Sequence, residues 1–339
     1  MALLEGTALR GDRYRVHKLL ARGGFGFIYL VHDHSTGHDV VLKELMPSLV
    51  GDPAMLRRFE REGRALQRLD HPNIIHADGM FQDQGNAYLV LEYGGGRVLS
   101  DWTDRGHKFS LSETARVAVA LCDALAYLHQ MGIVHCDLNP SNVVLDTDGK
   151  PKLIDLGIAH IPDRLVHRRW QTEHALPMGT VLYMAPEQID GVRDDPRVDL
   201  YALGAILYQM LAGRHYLDFS LENTQGAYAD NIALVRTATP RPLYDVPPEV
   251  EQVIMRALAK DPDSRYPDVT TFSYRLKQAM FPYLPPEQGL RLVVPFQATG
   301  DRDAGSPEDG EWPSWLWKVL LAVNVAVMVG VALLLIRFG

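Results

Sequence analysis

Cysteine is scarce: Cys122 and Cys136 are the only two in 339 residues. Two thiols cannot supply the disulfide framework of small secreted domains, so a reducing compartment is expected. An excess of positive charge is also absent. The formal net charge of −8 leaves no basic face for a general nucleic-acid binder, and no nucleic-acid partner is expected. The first residues, MALLEGTALRGDRYRV, contain no long apolar core and no small-residue cleavage site, so no secretory signal is expected. Thirteen histidines are present, yet none pairs with Cys or Asp at metal-ligand spacing along the chain. They are read as solvated or core side chains. No repeat appears at solenoid periods.

What is present is ordinary globular material, with 47 % hydrophobic and 22 % charged residues, enough for two modest domains or one two-lobed one. The first ninety or so residues read as strands, Tyr14–Leu20, Phe27–His32 and Asp39–Lys43, separated by Gly-rich or turn-like breaks. Farther on, Ala118, Leu121, Cys122, Leu125 and Leu128 recur at helical steps in 114–129. Leu203, Ile206, Leu207, Met210 and Leu211 do the same in 198–212, so both stretches read as amphipathic helices. The expected fold class is α+β: a small β-rich lobe (13–93) before a larger helical lobe (94–283), with a short extension at 1–12.

Several polar residues stand where phosphate chemistry would need them. In ARGGFGFIY (21–29), Gly23, Gly24 and Gly26 lie between two strands and let backbone N–H groups approach polyphosphate oxygens. A strand, not a helix, follows them, which suits a flap over ATP better than a dinucleotide fingerprint. In VVLKE (40–44), Val41 and Lys43 share one strand face. A lone Lys in a strand is ordinarily an exposed edge residue. Here MLRRFEREGRALQRL (55–69) sets Glu62 on the apolar stripe of Leu56, Phe59, Leu66 and Leu69. A carboxylate on an inward face needs a cation, and Lys43 is the natural one. Farther along, HCDLNPSN (135–142) and KLIDLGIAH (152–160) supply Asp137, Asn142 and Asp155.

The spacing of these groups resembles the signature set of a eukaryotic-like, bacterial serine/threonine protein kinase over roughly residues 13–283. Ala185-Pro186-Glu187, the DLYALG run beginning at Asp199, and Arg265 complete the resemblance. It implies a two-lobed kinase fold, ATP with Mg2+ (or Mn2+) as cofactors, and protein Ser/Thr substrates. Lys43 and Glu62 would form the phosphate-positioning pair, and Asp137 would orient the substrate hydroxyl or accept its proton. Asn142 and Asp155 would hold metal. Leu20, Ile28, Val41 and Val144 would sandwich adenine, with Leu91 behind it and the backbone of Glu92 and Gly94 facing it. Glu187 would pair with Arg265, and Asp199 would brace the catalytic loop.

Two positions depart from the family pattern H-R-D-L-K-P-x-N. Cys136 replaces the Arg that binds a phosphorylated activation-loop residue, and Asn139 replaces the Lys near the transferring phosphoryl group. Cys136 is read as a small neutral filler, so activity is not expected to need activation-loop phosphorylation through this pocket. Asn139 would give a hydrogen bond to a phosphate oxygen or to Thr180, the hydroxyl linking this loop to the substrate platform. Thr172 is the other hydroxyl between Asp155 and Ala185, and RLVHRRWQTEH (164–174) reads as a solvated loop. Two other readings stay open: a nucleotide-binding pseudokinase scaffold, and a small-molecule phosphotransferase on a related fold.

The one long apolar run comes late. Val319 to Ile336 carries no charge, with Lys318 and Arg337 flanking it and Trp312, Trp315 and Trp317 clustered at one end. This pattern predicts a membrane span over 315–336 with a tail at 337–339. A Pro-, Gly- and acid-rich linker at 284–314 would reach on the order of 30 Å. Expected partners are therefore membrane lipid and a second copy through the span, with Gly330 as the contact, and the family resemblance implies a partner protein phosphatase. Because ATP is cytosolic, the catalytic lobes are expected on the cytoplasmic side.

Overall fold

The computed structural model describes residues 2–23, 26–156, 181–222 and 224–283. The linker, the apolar run, Gly24, Thr172 and Thr180 lie outside these residues. Among the described residues no helix is long and apolar enough to cross a membrane.

The N-terminal lobe is a six-stranded sheet built from β1 (Ala8–Leu9), β2 (Tyr14–Arg22), β3 (Gly26–Asp33), β4 (His38–Leu45), β5 (Ala77–Asp83) and β6 (Asn86–Glu92). Its spatial order is β1-β2-β3-β4-β6-β5. Strict alternation decides which side chains go where. In β4, Val40, Leu42 and Glu44 are buried, whereas Val41 and Lys43 on the opposite face are half-buried. Glu44 is 1 % exposed, and its charge is met by hydroxyls from two neighbouring strands, Tyr29 at 2.9 Å and Tyr88 at 3.0 Å. Helix α1 (Pro47–Val50) precedes α2 (Pro53–Leu66), which crosses the sheet and buries Phe59, Glu62, Gly63 and Leu66. Asp52 caps α2 by accepting from the Ala54 N–H, and Pro53 occupies its first turn, where no donor is missed.

The second lobe begins with β7 (Arg97–Val98) and α3 (Ser100–Thr103). Helix α4 (Leu111–Gln130) follows, started by a reciprocal capping box between Ser110 and Glu113. Strands β8 (Val143–Leu145) and β9 (Pro151–Leu153) join β7 in a small sheet, followed by the short α5 (Pro186–Ile189). Helix α6 (Arg197–Ala212) differs from its expected amphipathic form: every residue from Val198 to Leu211 is buried. The reason is position, since α6 packs against α4, α8 (Pro248–Ala257) and α9 (Val269–Met280), leaving it little solvent face. It ends at Gly213, whose φ of 65° suits glycine. Helix α7 (Gln225–Thr237) completes the lobe. The lobes join through Ile75, whose N–H donates to the Leu153 carbonyl at 2.8 Å.

Candidate active site

The cleft between the lobes gathers the residues the sequence scattered. Lys43 Nζ lies 2.6 Å from Glu62 Oε1 and 3.1 Å from Asp155 Oδ1. Strand β4 supplies the cation, the inward face of α2 the first carboxylate, and the segment after β9 the second. Burial alone would lower the Lys43 pKa, but Asp155 and Glu62 together raise it, so the ammonium is held charged. One turn before Glu62, Arg58 belongs to the same electrostatic group. Burial lowers its pKa, while Glu62, Asp155 and Asp137 act to raise it. Sequence reasoning missed Arg58, although its i, i+4 relation to Glu62 on one helix face was the available signal.

The catalytic-loop candidates are held from below by one buried carboxylate. Asp199 Oδ2 accepts the His135 N–H at 2.9 Å, and Oδ1 accepts the Cys136 N–H at 2.9 Å. His129, in the last turn of α4, lies 2.8 Å from Asp199 Oδ2. Cys136 adopts a φ of 62°, a left-handed conformation costly for a side chain with a Cβ. It is clamped on three sides: by Asp199, by Gln188 Nε2 donating to its carbonyl at 2.9 Å, and by its thiol donating to the Arg193 carbonyl at 3.1 Å. Gln188 and His129 were not singled out in the sequence, because both act across long separations in the chain.

Asp137 therefore emerges from a braced turn. Asn142 Nδ2 donates to the Asp137 carbonyl at 2.8 Å and to its carboxylate Oδ2 at 3.2 Å. The other carboxylate oxygen, Oδ1, is buried with no hydrogen-bond partner among the described residues. Burial, followed by the nearby Asp155 charge, pushes the Asp137 carboxyl up to about 7. Asn139 is placed differently from the expectation of a phosphate contact. Its Nδ2 donates to the Asp137 carbonyl at 3.0 Å, and its Oδ1 accepts the Ser141 N–H at 2.9 Å, capping the turn at Pro140–Asn142. Both polar atoms of Asn139 thus serve the loop itself.

The nucleotide-side candidates Leu20, Ile28 and Val41 come from β2, β3 and β4 of the sheet that carries Lys43, and Val144 comes from β8. Ile28, Val41 and Val144 are half-buried and Leu20 is exposed, so apolar surface from both lobes is left incompletely covered. In the strand pairing, Ile28 sits opposite Lys43. Gly94 lies near Val144: a Cβ there would stand 3.7 Å from Val144 Cγ1. Leu91 is buried, and Glu92 is ion-paired with Lys152. At Gly26 a Cβ would come within 1.9 Å of the Glu44 carbonyl oxygen, so no other residue fits there. Gly23 donates to the Gly26 carbonyl at 2.9 Å, closing the turn.

The donor set suits a divalent cation on oxygen ligands. Asp155 is a half-buried carboxylate, and Asn142 commits its amide nitrogen to Asp137 and so offers its carbonyl oxygen. Farther away, Arg265 makes a bidentate pair with Glu187 at 2.6 and 2.7 Å. Its remaining donors reach the carbonyls of Ala259, Arg197 and Lys260 at 2.8, 3.0 and 3.1 Å.

Comparison with known proteins agrees with this arrangement. The protein kinase domain model matches residues 14–275. The chain is 38 % identical over 282 residues to the serine/threonine-protein kinase Pkn1 of Myxococcus xanthus, covering 81 % of this chain and 39 % of that protein. It is 33 % identical over 268 residues to PknA of Mycobacterium tuberculosis, covering 77 % of this chain and 59 % of the relative. Among solved structures, the PknI kinase domain of Mycobacterium tuberculosis superposes with a TM-score of 0.61 at 27 % identity, covering 83 % of this chain and all of that one. The chain spans under two-fifths of the length of Pkn1 and of other curated relatives it matches.

Proposed function

The chain belongs to the protein kinase domain family, and on that premise we propose that it is an ATP-dependent serine/threonine protein kinase, tethered to a membrane by its C-terminal apolar run with residues 13–283 as a cytoplasmic catalytic domain. The observation that carries this reading is the assembled Lys43–Glu62–Asp155 cluster beside an Asp137 carboxylate whose Oδ1 has no hydrogen-bond partner among the described residues. Asn142 and Asp155 would hold Mg2+ or Mn2+, which would supply positive charge to offset the negative charge of the phosphates. Lys43 supplies a fixed positive charge, and Glu62 keeps it from swinging away. Asp137 Oδ1 accepts the hydrogen bond of an acceptor hydroxyl and orients it in line. A carboxyl poised near 7 can take the proton as the new bond forms. Leu20, Ile28, Val41 and Val144 cover the base, and the backbone of Glu92 and Gly94 faces its edge.

No cation stands at position 139, so transition-state charge is stabilised less than in the family pattern. By analogy with removing one oxyanion donor, this lowers the rate by on the order of 10²–10³ without abolishing transfer. The scaffold alternative would leave this set of polar groups without a task, and no observation favours it. The small-molecule alternative is disfavoured by the Ala185–Glu187 segment and its anchor on Arg265. Protein substrates, a partner phosphatase and association through the span complete the proposal. The test is phosphate incorporation from Mg2+-ATP into a basic acceptor protein by the full chain. We expect phosphoserine or phosphothreonine, absent with Asp137→Ala. Equal incorporation by the two proteins, or none by either, refutes the kinase reading.

A further inference from the structure

The outer part of the N-terminal sheet carries a cluster that the kinase reading does not use. His17 of β2, His32 of β3 and Asp39 of β4 come from three adjacent strands and place one nitrogen or oxygen each within 4.8 Å of one another. Asp39 Oδ1 is the shared partner, 2.9 Å from His32 Nδ1 and 3.4 Å from His17 Nε2. The sheet register builds the cluster. His32 is directly opposite Asp39 in the β3–β4 pairing. On the other side Val16 pairs with Val31 and Lys18 with Leu30, so His17 is the extra residue of a β-bulge. Bulges re-aim side chains, and this one turns an imidazole toward the His32–Asp39 pair.

We infer that His17, His32 and Asp39 form a binding site for a late first-row divalent cation such as Zn2+. Two imidazoles and one carboxylate are a donor set preferred by Zn2+, Ni2+ and Cu2+, whereas Mg2+ favours oxygen ligands and keeps its water. With metal–ligand distances of about 2.0–2.1 Å, tetrahedral ligands stand roughly 3.3 Å apart, close to the two separations at Asp39. The side chains are 48 %, 31 % and 42 % exposed, so a cation can enter and one coordination position stays open to water. Such an ion would cross-link β2, β3 and β4. Asp39 shares its strand face with Val41 and Lys43, so the linked strands are those that carry the nucleotide-side residues. The chain-distant numbers 17, 32 and 39 explain why no metal-ligand spacing was visible in the sequence.

The experiment is titration of the chelator-treated full chain with ZnCl2 in millimolar Mg2+, read by equilibrium dialysis and by thermal unfolding. Binding of one equivalent is expected, with a rise of several degrees in Tm at hundredfold excess over the dissociation constant. Affinity should fall at least tenfold in His17→Ala and in Asp39→Asn, each checked for native circular dichroism, and stay within twofold in Asp155→Asn. The site is overturned if the wild-type chain binds no Zn2+. It is equally overturned if the His17→Ala/His32→Ala double variant binds as the wild type does, or if Asp155→Asn alone removes binding. None of these outcomes depends on phosphate transfer, so the site can fail while the kinase reading stands.

Discussion

Each lobe buries a cation against a carboxylate, Lys43 with Glu62 and Arg265 with Glu187, and the two pairs are built differently. In the second lobe Arg265 is fully buried, pairs with both oxygens of Glu187, and fills its remaining donors with three carbonyls. All five guanidinium N–H groups have acceptors, so nothing is left to bind anything else. In the first lobe Lys43 remains 15 % exposed and has, among the described residues, two carboxylate acceptors for three N–H donors. A planar fork saturated by the protein fixes a fold. A compact ammonium with a donor to spare, shared between two lobes, is suited to a ligand. Burial of an ion pair therefore does not by itself mark a functional site; incomplete satisfaction does.

This contrast can be broken by substitution. The largest stability effect is expected at Arg265→Ala, which leaves Glu187 and the three carbonyls without their donors. A loss of about 3–5 kcal/mol is expected in denaturant unfolding, and Arg265→Lys should recover only a minor part because an ammonium cannot reproduce the fork. Glu62→Gln is expected to do the reverse. It should cut phosphate transfer about a hundredfold, by analogy with loss of one electrostatic contact, while changing stability by less than about 1.5 kcal/mol. If Glu62→Gln unfolded the protein as Arg265→Ala does, the distinction between the pairs would fail. The smallest stability effect is expected at Asn139→Lys. The added cation should raise the transfer rate, while losing the turn cap costs about 1 kcal/mol; an unchanged rate would show that position 139 does not face the reacting phosphoryl group.

The strands, the helix carrying Glu62 and the order of the chemical groups were legible in the sequence, because alternation, helical stripes and motif spacing are local signals. Other features were not, because their partners are distant along the chain. Glu44 accepts hydrogen bonds from Tyr29 and Tyr88 of neighbouring strands. Gln188 reaches back to Cys136. The sequence suggests that Asn139 gives a hydrogen bond to a phosphate oxygen or Thr180, and it does not report the bonds by which Asn139 closes its own turn with Asp137 and Ser141. Helix α6 was read as amphipathic because its Leu, Ile and Met positions have helical spacing; its buried Asp199 and Gln209 are satisfied by specific partners that no periodicity reports.

Asp137 joins stability to chemistry. Its carboxyl is raised from 3.8 to about 7 in the folded protein, so the native state holds a proton that the unfolded chain has released. Stability from this group is present below about pH 4 and lost as pH rises through about 7. Asp137→Asn should then be more stable than the wild type at pH 8, by about 1–3 kcal/mol, although it transfers no phosphate. Chemical denaturation of both proteins at pH 5 and pH 8 reads the sign directly. The decisive measurement is the pH dependence of kcat/KM for phosphate transfer by the full chain between pH 5.5 and 8.5, with Asp137→Asn as the control. The account predicts a rate that climbs about tenfold per pH unit and levels off near pH 7, and no transfer by Asp137→Asn. A flat profile, or transfer that survives in Asp137→Asn, would contradict it.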